Sequence, residues 1–200
     1  MGLLSYFHKY LDNPTLFNFV RHILDGGQIE YMEKYLEGVA HESVVDIACG
    51  TGDICKAVKK DYVGIDFCES FITYANKAYG GQKKKFIVMD ATRLTLPRKS
   101  FDVAMLVNMI HHLNDAEVKT AIDSAIELSK KYVLILDVIP KKNPITKFFL
   151  SIDRGANFRP LEAQKELLTN SGKIRLVSED SFHSTSRIYH HSVLLGEIIN

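Results

Sequence analysis

Apolar positions along the chain follow two alternating rhythms. Short, largely β-branched runs at 44–48, 62–66, 86–89, 103–107 and 132–137 have strand length and predict five buried strands. Between them, helix-compatible stretches occupy 53–60, 70–79 and 115–129, the last with Asp115 at its cap position. Strands alternating with helices at this pace predict an α/β fold with a parallel sheet wound on both faces. Ligands of such a sheet bind at the carboxyl ends of the strands.

Both ends of the chain depart from this alternation. Asn13 and Pro14 begin a helix in which Leu16, Phe17, Phe19, Val20, Ile23 and Leu24 recur, until Asp25, Gly26 and Gly27 stop it. A second short amphipathic piece spans 29–36. These helices are expected to cover one end of the sheet, to close over a pocket as a lid, or both. Between 140 and 160 no period holds: Ile145, Phe148, Phe149, Leu150 and Ile152 are apolar, whereas Asp153, Arg154 and Arg159 are not. A helix over 161–171, ended by Gly172, and strands at 174–178 and 188–197 complete the chain.

The chemistry gathers at the strand ends. The first strand carries Asp46 and runs through Ala48 into Cys49-Gly50-Thr51-Gly52-Asp53. Two glycines let the backbone turn sharply and approach a ligand closely, and a helix start beyond them offers free N–H groups. A dinucleotide-binding turn wants a third glycine, where this chain has Cys55. The second strand ends at Asp66, sixteen residues beyond Gly50, placed to accept from both hydroxyls of a ribose. The bland alternative for Asp66 is an N-cap of the next helix. Phe67 follows and is available to an adenine face, the third strand ends at Asp90 and Ala91, and the fourth ends at Asn108. Asp46, Gly50, Asp66, Asp90 and Asn108 thus all fall at or just beyond carboxyl ends of strands.

Asp46 with the compact Cys49–Asp53 turn resembles motif I of the class I S-adenosylmethionine-dependent methyltransferases. The Pro97-x-x-x-Phe101-Asp102 spacing ahead of the fourth strand is also similar to that family, and the resemblance spans about 43–137. It implies a Rossmann-like, doubly wound, seven-stranded sheet, mostly parallel, with an antiparallel C-terminal strand beside the fifth and an N-terminal helical cap. The cap would be 1–41 and the cofactor-binding domain 42–200, with 140–160 inserted on the substrate side. The implied cofactor is S-adenosylmethionine, with S-adenosylhomocysteine as product. Asp46, Ala48, Gly50 and Gly52 would form its turn, and Asp66 and Phe67 would take the ribose and adenine. Asp90 would accept from the adenine 6-amino group and the Ala91 N–H would donate to the ring, while Asn108 would stand beside the methionine end. The chemistry implied is in-line attack by an acceptor on the sulfonium methyl, for which alignment and exclusion of water matter most.

Composition narrows the partners. A net charge of +1 over 200 residues gives no general pull toward nucleic acid or an anionic surface. The 83–85 lysines read as a solvated turn. Three unpaired-looking cysteines suggest a reducing cytoplasm, and no apolar run reaches membrane-spanning length. Gly2 begins like a myristoylation signal, but Tyr6 stands where that signal needs Ser or Thr. His111 and His112 follow the fourth strand, and either offers a general base; packing of that loop is the simpler reading for each. Neither this pair nor His190 and His191 has metal-ligand spacing, so no metal is expected. The His-His loop and the Gly-Thr-Gly-Asp turn are similar to those of quinone-biosynthesis and related small-molecule methyltransferases. A small, partly apolar acceptor is therefore expected. The alternatives are an RNA or protein methyltransferase, a nicotinamide-dependent oxidoreductase and a non-catalytic cofactor-binding protein.

Overall fold

The computed structural model describes residues 13–91, 93–152 and 155–199. Residues 1–12 of the expected cap, the Gly2 signal, and Asp153 and Arg154 of the insertion lie outside the described residues. Seven strands form one sheet: β1 (Ser43–Ile47), β2 (Asp61–Asp66), β3 (Lys84–Val88), β4 (Phe101–Val107), β5 (Ser129–Val138), β6 (Ile174–His183) and β7 (His190–Ile198). Their order is β3-β2-β1-β4-β5-β7-β6. The first five pair in parallel, and β7 enters antiparallel between β5 and β6. The expected seven-stranded, Rossmann-like sheet is therefore present, with its antiparallel strand beside the fifth.

Helices pack on both faces, as a parallel sheet requires. Every residue of β4 is buried. One core layer sets Val44, Met105 and Leu134 of the sheet against Met32 and Leu36 of α2 (Gln28–Glu37) and Ile72 and Ala75 of α3 (Glu69–Tyr79). The other sets Val45, Ala104 and Ile135 against Val118, Ile122 and Ile126 of α4 (Asp115–Leu128) and Leu168 of α6 (Leu161–Thr169). Neighbouring residues of one strand thus serve opposite layers, following the pleat.

Four elements differ from expectation, each for a local reason. The helix expected over 53–60 is a five-residue 3-10 turn, Asp53–Ala57, because Val58 is drawn into an extended conformation and buried on the way to β2. The cap of α4 is Asn114 rather than Asp115. The Asn114 side chain accepts from Ala116 N and Glu117 N, while Glu117 accepts from Asn114 N at 2.8 Å, a capping box. The aperiodic 140–160 segment contains a helix, α5 (Pro144–Ile152), started by Asn143, whose side chain accepts from Thr146 N at 2.7 Å. Strand β6 continues to His183, since its polar half needs only backbone pairing along the sheet edge; a register shift between Leu176 and Ser178 separates the two halves.

The first helix, α1 (Pro14–Asp25), is capped by Asn13, whose side chain accepts from Thr15 N and Leu16 N. It buries no residue fully. Leu16, Phe19 and Ile23 face outward, and the inward face carries Asn18, Arg21 and Asp25. Phe17, Val20 and Leu24 are half-buried, with the Phe17 ring 5.2 Å from that of Phe71, so the helix meets the protein through a mixed polar and apolar face.

Candidate functional site

The strand order reverses between β1 and β4, and the backbone is unusual at both of their carboxyl tips. Ala48 (φ 62°) and Asn108 (φ 50°) are left-handed although neither is glycine. Such conformations are uncommon for residues with a Cβ and persist where surrounding structure imposes them, often at ligand sites. The crevice at this switch point is where doubly wound sheets bind ligands.

The two glycines of the turn serve different purposes. A Cβ on Gly50 (φ 56°) would meet nothing within 4 Å, so this turn presents bare backbone to open space. A Cβ on Gly52 (φ 77°) would lie 2.4 Å from Phe86 Cε1 and 3.0 Å from Ala75 Cβ, so here glycine permits the close approach of β3 and α3. Both oxygens of Asp66 hold the surrounding backbone, accepting from Gly50 N at 2.8 Å and from Cys68 N at 2.9 Å. A carboxylate has about four acceptor sites, so two remain for a ligand's hydroxyls. The N-cap role is absent: the cap position of α3 is Cys68, whose side chain accepts from none of the helix's backbone N–H groups. Phe67 is 78% exposed beside it. Met89 N donates to Asp66 O at 2.9 Å, which sets the tip of β3, with Asp90 exposed and Ala91 half-buried, next to Asp66.

Asp46 lies beneath the turn, 1% exposed. It accepts from the Tyr62 hydroxyl through Oδ2 at 2.7 Å, and its buried Oδ1 has no hydrogen-bond partner. Burial pushes its carboxyl up to about 7, with Asp53 and Asp66 adding to the rise and the Tyr62 bond and Arg21 opposing it. An acceptor atom left unmet under a bare glycine turn fits a ligand that brings a donor or a cation.

The roof of this edge comes from α1 and α2. Arg21 Nη1 reaches Asp53 Oδ1 at 3.0 Å and its Nη2 donates to Gln28 Oε1 at 3.3 Å, while Asn18 accepts from the Thr51 hydroxyl. Asn108 Nδ2 donates to Gln28 Oε1 at 3.0 Å. The Gln28 amide nitrogen lies 3.3 Å from Nε2 of His191, a fully buried imidazole that burial holds neutral, its pKa pushed down to about 3. Asn18, Arg21 and Gln28 were not among the residues the sequence singled out, and His191 was weighed only as a metal ligand. The polar stripe Asn18, Arg21, Asp25 at helical spacing was the available signal.

The two histidines after β4 occupy different environments on a short 3-10 turn, Ile110–His112. His112 is exposed. His111 is buried, with Nδ1 2.6 Å from Asp137 Oδ1 and its ring stacked on Phe158 at 5.1 Å. Asp137 also accepts from Ile110 N at 2.8 Å and Val138 N at 2.6 Å. The 155–160 segment clamps this turn. Ala156 N and Asn157 N donate to His111 O, and Arg159 donates to the carbonyls of Ile110 and Leu113 and to Asp115. Among the described residues, no group of three or more His, Cys, Asp or Glu is placed to hold a metal. Two surface cavities of about 380 and 400 Å³ lie elsewhere, beside Asp115, Phe158 and Leu167 and beside Leu36, His41 and Lys131. The glycine-turn edge is therefore marked by its chemistry rather than by either of these cavities.

A bare glycine turn at the switch point, with carboxylates beneath it and at the next strand tip, is the arrangement expected of a class I S-adenosylmethionine-dependent methyltransferase. Residues 44–131 match the family model described as methyltransferase domain. Known structures agree in fold. Magnesium protoporphyrin IX methyltransferase from Synechocystis, solved with bound S-adenosylhomocysteine, superposes with a TM-score of 0.69 at 17% identity, covering 98% of this chain and all of that one. A chain from the complex of a Haloferax volcanii methyltransferase activator with its methyltransferase gives 0.76 at 11% identity, covering 100% of this chain and 98% of that one. The YcgJ protein of Bacillus subtilis gives 0.66 at 16% identity, covering 86% and 98%. The curated proteins contain no significant match to the sequence.

Proposed function

We propose that this methyltransferase acts on a small, partly apolar acceptor. The supporting observation is the roof: Asn18, Arg21 and Gln28 of α1 and α2 bond to Thr51, Asp53 and Asn108 across the switch point. An acceptor that must reach a methyl group beneath two helices is more readily a compact molecule than a folded polymer. In this reading Asp66 takes the ribose, Phe67, Asp90 and Ala91 take the adenine, and Asn108 stands at the methionine end. Arg21, paired with Asp53 of the turn, offers a cation for a methionine carboxylate, and the open Oδ1 of Asp46 faces the need for a donor.

Bound S-adenosylmethionine supplies an electrophilic sulfonium methyl. The chain's own work is then to align the acceptor, exclude water and, for a hydroxyl or acidic carbon, take a proton. Of the two histidines, His111 is the one equipped for that task, because Asp137 fixes its tautomer and would stabilise its protonated form. Three buried or half-buried free thiols accord with a reducing cytoplasm. Burial pushes Cys55 up to about 11, which keeps it from acting as a nucleophile.

The test is transfer of labelled methyl from S-adenosylmethionine to a panel of small apolar hydroxy and amino compounds, alongside total RNA and denatured protein. Label in a small compound supports the reading. Label in RNA or protein alone overturns it, and tight S-adenosylhomocysteine binding with no transfer to any class points to a non-catalytic binder.

A further inference from the structure

Two helices at the ligand edge expose what helices ordinarily bury. On α1, Phe19 is 63% and Ile23 49% exposed, with Leu16 on the same stripe. On α5, Ile145 is 64% and Phe148 61% exposed. Both helices are tied to one short connection, the β6–β7 turn at 184–189. Ser186 Oγ donates to Leu24 O at the end of α1, Thr185 N donates to Gly26 O, and Thr146 Oγ1 of α5 donates to Ile188 O. That turn lies beyond the carboxyl end of β5, where Val138 pairs with His191. The two apolar stripes therefore belong to the same end of the molecule as the glycine turn.

Charge on α5 and the connection before it is one-sided among the described residues. Lys142 and Lys147 are exposed around Ile145 and Phe148, and Lys141 joins them with Nζ 2.8 Å from His183 Nδ1. The His183 ring stacks on His190 at 4.4 Å. None of these three lysines forms an ion pair with a carboxylate among the described residues, whereas Lys59, Lys60, Lys131, Lys165 and Lys173 all do. The net charge of the chain is only +1, so this is a local concentration rather than a general bias. Exposed Phe and Ile interleaved with unneutralised Lys is the composition of helices that lie in the interface of an anionic bilayer. Nucleic acid would use the lysines but leave the aliphatic Ile145 and Ile23 unserved, and a second copy of the chain would bring like charge against like.

We infer that the α1–α5 face is a membrane-docking surface, seating the ligand edge of the enzyme against an anionic lipid bilayer. Docking is peripheral, since no helix among the described residues is long and apolar enough to span a membrane. The inference concerns where the enzyme works and stands whether or not the acceptor is apolar.

The experiment is co-sedimentation of the intact protein with vesicles of phosphatidylcholine alone and of phosphatidylcholine with an equal part of phosphatidylglycerol. The protein should pellet with the mixed vesicles, remain largely in solution with phosphatidylcholine alone, and be released as salt shortens the Debye length from about 10 Å to about 3 Å. The double variant Ile145→Glu/Phe148→Glu should lose pelleting while keeping its S-adenosylhomocysteine affinity and thermal midpoint. Each of Lys142→Gln and Lys147→Gln should weaken partitioning roughly fivefold. Failure of the wild type to pellet with anionic vesicles would overturn the inference, as would a double variant that pellets like the wild type. So would binding of RNA in preference to the mixed vesicles. Light scattering that shows a dimer dispersed by Phe148→Glu would reassign the surface to self-association.

Discussion

Replacing Asp66 with Ala separates two jobs that this carboxylate performs. One is structural: it accepts from Gly50 N and Cys68 N, so its removal leaves two backbone donors short of a partner, at a cost of about 1–3 kcal/mol in folding. The other is the proposed bond to the ribose, where loss of charge-assisted hydrogen bonds should weaken S-adenosylhomocysteine by about 1–3 kcal/mol, or roughly 5- to 150-fold in Kd. A loosened glycine turn alone would also weaken binding, so the variant by itself is ambiguous. Calorimetric titration of both proteins with S-adenosylhomocysteine and its 2′-deoxy analogue resolves it as a double-mutant cycle. The wild type should bind the deoxy analogue roughly tenfold less tightly, and Asp66→Ala should scarcely distinguish the two ligands. An equal deoxy penalty in both proteins refutes the ribose assignment and leaves Asp66 as a clamp on the turn.

Asp46 titrates near 7 in the fold and near 3.9 when unfolded, so the folded state holds its proton more tightly. Its contribution to stability is full below about pH 4 and is lost as pH rises through about 7, a span of a few kcal/mol. Denaturant melts of Asp46→Asn against wild type should therefore diverge in the variant's favour across that window, and a constant difference would show that Asp46 is ionised throughout. Gly52→Ala should destabilise by about 2–4 kcal/mol, because the new methyl meets the Phe86 ring in a left-handed backbone, whereas Gly50→Ala pays only the backbone strain of about 1 kcal/mol. Equal melting midpoints for the two would contradict their different surroundings. With an authentic hydroxyl acceptor, His111→Gln should lower kcat at least tenfold and remove the acid limb of the pH profile. An unchanged profile with a lowered melting midpoint would instead mean that His111 only packs its turn.

The sheet was legible because a parallel strand buried on both faces must be a short apolar run, and 103–107 or 132–137 can be little else. The glycine turn and the carboxylates at strand tips were legible because backbone approach and ligand polarity constrain residue type. Other elements were hidden by physics that sequence periodicity does not carry. Asn143-Pro144 is the same helix start as Asn13-Pro14, yet α5 exposes Ile145 and Phe148, so no apolar stripe faces the core to reveal it. The turn at 53–57 looked helical until the demand that Val58 reach the core cut it short. The pairing of His111 with Asp137 joins residues 26 apart through the β4–β5 register, and only the folded sheet supplies that register.

The mixed inward face of α1 explains why the roof was the least readable part. A helix that covers a core turns its apolar face inward, and the run from Leu16 to Leu24 invites that reading. In the fold, Phe17 packs on Phe71, while the polar contacts are Asn18 to Thr51 and Arg21 to Asp53 at the glycine turn, with Asp25 pairing Arg21 within the helix. Such polar contacts give little hydrophobic stabilisation, and α1 buries none of its residues completely. A helix held by polar contacts to a binding loop is coupled to what the loop binds, since a ligand that satisfies Asp46 or meets Arg21 alters the groups that hold the helix down. Its apolar outer face then needs a covering of its own. A bilayer at that face would offset the weak inward packing of the helix.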